Sequence, residues 1–133
     1  MGMTYQRPRE DHVSSTMTRS LLTAEPSAPL TEAAHRMATR RVGAILVTEG
    51  DRLIGILTER DVLKAVGEGS IDGTIEGRMT RDPITVDSTA TNGQAAMMMI
   101  HGGFRHVPIV DDGVLVGIVS IRDLLALPNE SPR

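Results

Sequence analysis

At 133 residues the chain has the length of one domain and can bury a core of its own. Its net charge of −3 gives no bias towards nucleic acid or an anionic membrane, and the absence of cysteine removes disulfides, thiolate metal ligands and thiol nucleophiles together. No apolar run approaches the ~18–20 residues of a membrane span, and the polar stretch Met1 to His12 lacks the apolar core of a secretory signal, so a cytoplasmic protein is predicted.

Residues 1–13 read as a flexible tail, polar and without periodicity. A first unit follows over residues 14–68. It begins with an extended piece, Leu21 to Ala24. A helix comes next, led in by Pro29-Leu30-Thr31-Glu32, with Ala33, Ala34, Met37 and Ala38 on one face. Ala44 to Val47 and Leu53 to Leu57 then form a hairpin across Glu49-Gly50-Asp51. A last helix starts at Thr58 and carries Val62, Leu63 and Val66.

Residues 69–78 are a glycine-rich linker, and residues 79–127 repeat the order. The extended piece is Ile84 to Val86 after Pro83, β-branched with an allowed leading proline. The helix presents Ala95, Ala96, Met99 and Ile100. The hairpin joins Val107–Val110 to Leu115–Val119 across Asp111-Asp112-Gly113, and the last helix starts at Ser120 and carries Leu124, Leu125 and Leu127. Residues 128–133 read as a second tail.

The duplication is explicit. Gly55-Ile56-Leu57-Thr58-Glu59-Arg60-Asp61 recurs 62 positions later as Gly117-Ile118-Val119-Ser120-Ile121-Arg122-Asp123, and both units open with Met-Thr-Arg at Met17 and Met79. Between these anchors the register reads as slipping by one, with Val47 against Val110 and Gly50 against Gly113, which implies an insertion near Gly102-Gly103 and a compensating deletion. The fold class is α+β, two β-α-β-β-α repeats. One such unit cannot cover both faces of its sheet, so the two pack sheet to sheet. The final helices keep apolar stripes that a second chain is expected to cover.

The repeated hydroxyl-x-x-Asp motif has two readings. As a capping box, Thr58 or Ser120 caps its helix while Asp61 or Asp123 reaches back from the third helical position. As a binding motif, the carboxylate accepts from both hydroxyls of a cis-diol and the helix N-terminus receives phosphate. The two roles are compatible. Arg60 and Arg122 can offer phosphate a bidentate fork, and Gly55 and Gly117 can admit a close backbone approach.

Arg105 and His106 stand at the start of the second unit's hairpin where Val42 and Gly43 stand in the first, and Glu59 adds a negative charge where the second unit has Ile121. Positive charge favours a phosphorylated ligand, so the Ser120/Asp123 cleft is predicted to bind tighter.

The remaining chemistry is negative. The aromatics are Tyr5 and Phe104, so a bound base would lie between aliphatic side chains, and single-strand nucleic-acid binding lacks its stacking platform. His12, His35, His101 and His106 have no metal-site spacing. Met97-Met98-Met99 reads as adaptable filler, with Met99 in the core. No nucleophile–base–orienter set and no Walker lysine is visible, so no catalytic residue is assigned and no enzyme is predicted.

The repeat, its element order, the run Arg105-His106-Val107-Pro108-Ile109-Val110-Asp111 and the two Gly-x-x-[Ser/Thr]-x-x-Asp motifs together resemble the CBS domain pair, or Bateman module, over about residues 14–127. The resemblance implies two repeats packed about a pseudo-twofold axis with two clefts for adenosine ligands. AMP, ADP or ATP is the expected ligand, with S-adenosylmethionine or NAD less favoured, and no cofactor is required. It implies that Thr58 and Asp61 serve one cleft and Ser120 and Asp123 the other, each acid on the ribose hydroxyls, with backbone groups at Val107-Pro108 reading the adenine edge. It further implies a non-catalytic regulatory sensor that forms a homodimer and acts on a separate effector protein, without nucleic acid or membrane. The rival from another class is a structural dimerisation module with empty clefts.

Overall fold

The computed structural model describes residues 11–126. The first unit consists of β1 (Thr23–Ala24), α1 (Leu30–Arg40), β2 (Ala44–Glu49), β3 (Arg52–Thr58) and α2 (Glu59–Gly67). The second contains β4 (Thr80–Arg81), α3 (Asn92–Gly102), β5 (His106–Asp111), β6 (Val114–Ser120) and α4 (Ile121–Leu125). The α+β class and the repeated element order are those expected. The predicted extended pieces are shorter. Leu21–Ala24 contributes only Thr23 and Ala24, parallel to β2, and Ile84–Val86 contributes only Val86, bridged in parallel to Ile109. The predicted tail 128–133 and Leu127 lie outside the described residues, as does the tail up to residue 10.

The period does not slip. The element starts Leu30 and Asn92, Ala44 and His106, and Arg52 and Val114 are all 62 residues apart. The register shift between Val47 and Thr48 recurs between Ile109 and Val110. The insertion expected near Gly102-Gly103 is therefore absent. The turns account for the difference. Gly50 takes positive φ (67°) at the first position of its two-residue turn, whereas Asp112 (50°) and Gly113 (82°) take it at both positions of theirs. These are the demands of type II′ and type I′ hairpins, so the two glycines occupy different turn positions and do not correspond.

Each unit is completed by the segment that precedes the other. Val13, in a one-turn 3₁₀ helix (Val13–Ser15), is fully buried in the second unit's core with Ala95, Met99, Val107, Ile109 and Val119. Ile75, at the same place in the 3₁₀ helix Ile75–Gly77, is fully buried in the first unit's core with Leu30, Ile45, Val47, Leu57 and Ala65. The tail predicted to run through residue 13 and the linker predicted over 69–78 thus each hold a core residue. Past the 3₁₀ turns the chain pairs across: Thr80 with Ile56, and Thr18 with Ile118.

This crossing accounts for Gly55 and Gly117. A Cβ on Gly55 would stand 2.5 Å from Met79 Sδ and 3.0 Å from the Thr80 carbonyl oxygen, and one on Gly117 would stand 2.4 Å from Met17 Sδ and 3.1 Å from the Thr18 carbonyl oxygen. The close approach read at these glycines is made by the protein's own strand.

The two sheets meet through Ala44, Leu46 and Ile56, packed with Leu21, Leu53, Leu115 and Ile118. On α3, Ala95 and Met99 are buried as expected, but Ile100 is 66% exposed, so that helix buries a narrower face than the periodicity suggested. Leu63, Val66 and Leu125 on the final helices are 71%, 57% and 79% exposed.

One buried polar group breaks the repeat. Asn92 occupies the place of the fully buried Leu30, and its Oδ1 is buried without a hydrogen-bond partner. A burial of this kind costs about 1–3 kcal/mol. Asn92→Leu is expected to raise stability by about that amount in urea melts; an unchanged or lowered midpoint would mean that Asn92 is satisfied in solution.

Candidate functional site

Both hydroxyl-x-x-Asp motifs form capping boxes. At the start of α2, Thr58 N–H donates to Asp61 Oδ2 at 2.8 Å and Asp61 N–H donates to Thr58 Oγ1 at 3.4 Å. At the start of α4, Ser120 N–H donates to Asp123 Oδ2 at 2.9 Å and Asp123 N–H donates to Ser120 Oγ at 3.1 Å. Each box employs a single carboxylate oxygen. Among the described residues, Oδ1 of Asp123 has no hydrogen-bond partner, so it can accept from something else.

The two motifs differ in what lies in front of them. A cavity of about 720 Å³ opens where the units face each other, and its lining includes Ser120, Arg122, Asp123 and His106. Thr58, Arg60 and Asp61 are not part of that lining, although their neighbour Glu59 is. Val107 and Pro108 also lie off it. The Val107 side chain belongs to the second core, and the Pro108 carbonyl accepts from Val86 N–H at 3.2 Å. The cavity is reached instead by the residues before them, Arg105 and His106, and by Gly43 and Ala44, which the unbroken period makes their counterparts in place of the expected Val42 and Gly43.

Apolar walls come from Leu21, Leu22, Val42, Ala44, Leu46 and Ile118. The crossing strand adds Thr18 and Ser20 at the edge. Leu21, Leu22 and the crossing strand border the cavity although nothing in their own sequence, or in their counterparts across the duplication, is chemically marked. Arg41 was missed for a different reason. It lies at the C-terminal end of α1, away in sequence from both repeated motifs, and reaches the cavity from there.

The lining is cationic on balance, with Arg41, Arg105 and Arg122 against Glu59 and Asp123. The two ion pairs given by the described residues, Arg78–Glu68 and Arg81–Glu76, are elsewhere, and none involves these three arginines. Aliphatic walls, a carboxylate with a free oxygen and unpaired guanidinium groups suit a flat apolar ring, a diol and an anion respectively.

The CBS domain pattern matches this chain twice, over residues 12–68 and 73–130. The chain belongs to the CBS domain family. Among curated relatives, this CBS pair is 40% identical over 116 residues to an uncharacterized 17.7 kDa protein of Acidianus ambivalens, covering 84% of the chain and 70% of that protein. It is 36% identical to a CBS domain-containing protein of Arabidopsis thaliana, covering 78% of the chain but only 20% of the plant protein. Its fold superposes on a CBS domain protein from Pyrobaculum aerophilum complexed with AMP at a TM-score of 0.82, with 33% identity over 87% of this chain and 92% of that one. A CBS domain pair in complex with 5′-methylthioadenosine and S-adenosyl-L-methionine also gives a TM-score of 0.82, with 28% identity over 88% and 94% of the two chains. Among the described residues, no helix of this CBS pair is long and apolar enough to cross a membrane, and no cluster of side chains could hold a metal ion.

His106 is the histidine of the cavity lining. Its Cε1 lies 3.5 Å from the position a Cβ on Gly43 would take, beside Glu59. Burial lowers its pKa below the ordinary value and outweighs the opposing pull of Glu59 and Asp123, with Arg105 acting in the same direction as burial. The unfolded chain therefore binds the His106 proton more readily than the fold. This group costs no stability above about pH 6.5, and stability falls as pH drops from there towards the depressed value. Thermal melts at descending pH are expected to decline less steeply for His106→Gln than for the parent, and parallel declines would show that His106 does not carry this linkage.

Proposed function

We propose that this CBS pair is a non-catalytic regulatory sensor for an adenine nucleotide, held in the Ser120/Asp123 cleft. The observation that carries the reading is the cavity itself: aliphatic walls for the base, the unused Oδ1 of Asp123 for the ribose diol, and three unpaired arginines for phosphate. The AMP complex of the Pyrobaculum aerophilum relative supports the ligand class. AMP, ADP or ATP suits the cationic lining better than S-adenosylmethionine, whose sulfonium is itself positive.

Ligand would bridge Ser120 and Asp123 of the second unit to Leu21, Val42 and Ala44 of the first, and so fix the two units relative to each other. The readout is a change of shape passed to a separate effector protein. The exposed Leu63, Val66 and Leu125 favour a homodimer as the form that carries this signal; a monomer at all concentrations in sedimentation equilibrium would exclude it.

Isothermal titration with AMP, ADP, ATP, NAD and S-adenosylmethionine tests the sensor reading. One nucleotide per chain at micromolar affinity is the expected outcome. No heat with any of the five, together with no thermal shift at high excess, would leave a structural pairing module in its place.

A further inference from the structure

Arg41 holds a backbone conformation that its side-chain type does not favour. It is the C-cap of α1 with φ of 55°, in the left-handed region. The matching residue after α3 is Gly103, with φ of 75°, and glycine takes that conformation freely. An arginine at such a position gives up local comfort, and residues held this way gather at ligand clamps.

Helix-end electrostatics does not account for Arg41. A cation is favourable at the negative end of α1, but Arg40 already supplies one, and its Nη2 bonds Ser20 Oγ at 3.5 Å. The Arg41 side chain is exposed, has no ion-pair partner among the described residues, and borders the cavity. Arg105 and Arg122 border the same cavity from the second unit. The three come from three different elements, so only the folded cleft brings them together. At the corresponding places of the repeat stand Gly103 for Arg41 and Gly43 for Arg105, and Arg60, the counterpart of Arg122, does not border the cavity.

We propose that Arg41 is a specificity-determining residue that, with Arg105 and Arg122, reads a chain of phosphates, so that this cleft selects nucleoside di- and triphosphates over the monophosphate. The inference rests on the adenine-nucleotide reading of the cleft. A first phosphate is served by groups near Ser120 and Arg122, and Arg41 supplies, from the opposite unit, the additional guanidinium that only a longer phosphate chain engages. Guanidinium presents a planar fork to phosphate, and each such charge-assisted contact changes affinity by about tenfold.

The test uses the full chain and AMP, ADP and ATP as probes, in titrations of the parent and of Arg41→Gly, with thermal melts beside them. The parent is expected to bind ADP and ATP about tenfold tighter than AMP. Arg41→Gly is expected to lose that preference while melting at or above the parent temperature, since glycine accepts the left-handed conformation. A parent without the preference, or a glycine variant that retains it, overturns the role of Arg41 and leaves the nucleotide reading standing. Absence of binding by all three probes overturns the nucleotide reading itself and the role of Arg41 with it.

Discussion

Asp123→Asn is expected to weaken nucleotide binding about 100-fold while leaving the melting temperature within a few degrees of the parent. The reason is the division of labour within one carboxylate. Oδ2 of Asp123 accepts from Ser120 N–H and closes the cap of α4, whereas Oδ1 has no partner among the described residues and Asp123 borders the cavity. Asparagine keeps one carbonyl oxygen for the cap but loses the charge and the second acceptor, and hydrogen bonds to a charged group are worth about 1.5–3 kcal/mol each. Two bonds to a ribose diol, at the low end of that range, correspond to roughly the stated loss.

Asp123→Ala confounds the two roles, since it also removes the cap at a cost of about 1 kcal/mol. Asp61→Asn is the informative comparison, because Asp61 makes the same kind of capping box but is not part of the cavity lining. Titration calorimetry on both asparagine variants decides the matter. Similar losses at the two positions would contradict the assignment of the ligand to one cleft.

The second large effect falls on residues that read as connector. Ile75→Ala is expected to destabilise the protein by about 2–5 kcal/mol, as for any fully buried isoleucine, and Val13→Ala by somewhat less. Ile75 is fully buried in the first unit's core and Val13 in the second's. Each sits one strand-crossing before the unit it follows in space, with Met79 or Met17 laid over Gly55 or Gly117. Loss of either side chain leaves a cavity in one unit and loosens the strand that ties it to the other. Urea denaturation provides the measurement, and a cost for Ile75→Ala as small as that of an exposed residue would show that the segment is a linker after all.

Because Thr18 and Leu21 follow Val13 along the same crossing segment and border the cavity, Val13→Ala is also the variant in which weakened packing and weakened nucleotide affinity should appear together.

Much of the fold was legible in the residues. The recurrence of Gly55–Asp61 at Gly117–Asp123 announced two copies of one unit, and the apolar spacing of Ala33 and Met37, repeated by Ala95 and Met99, placed the buried faces of two helices. Errors arose where local chemistry imitated correspondence. Gly50 and Gly113 are both turn glycines, and pairing them implies a register slip that the 62-residue spacing of the two hairpins and of the helices excludes. The candidate site residues part company in the fold. His106, Ser120, Arg122 and Asp123 border one cavity, whereas Thr58, Arg60, Asp61, Val107 and Pro108 do not.

The chain by its sequence determined the repeat, the order of elements and the two capping boxes, because each depends on residues a few positions apart or on a period that can be counted. Tertiary structure alone decided that the units exchange their leading segments, that an open cavity lies before Asp123, and that Arg41 stands at its border with Arg105 and Arg122. These facts depend on contacts between residues distant in the chain, from Thr80 against Ile56, 24 positions apart, to Met17 over Gly117, 100 apart, and no local pattern or countable period encodes which segments meet.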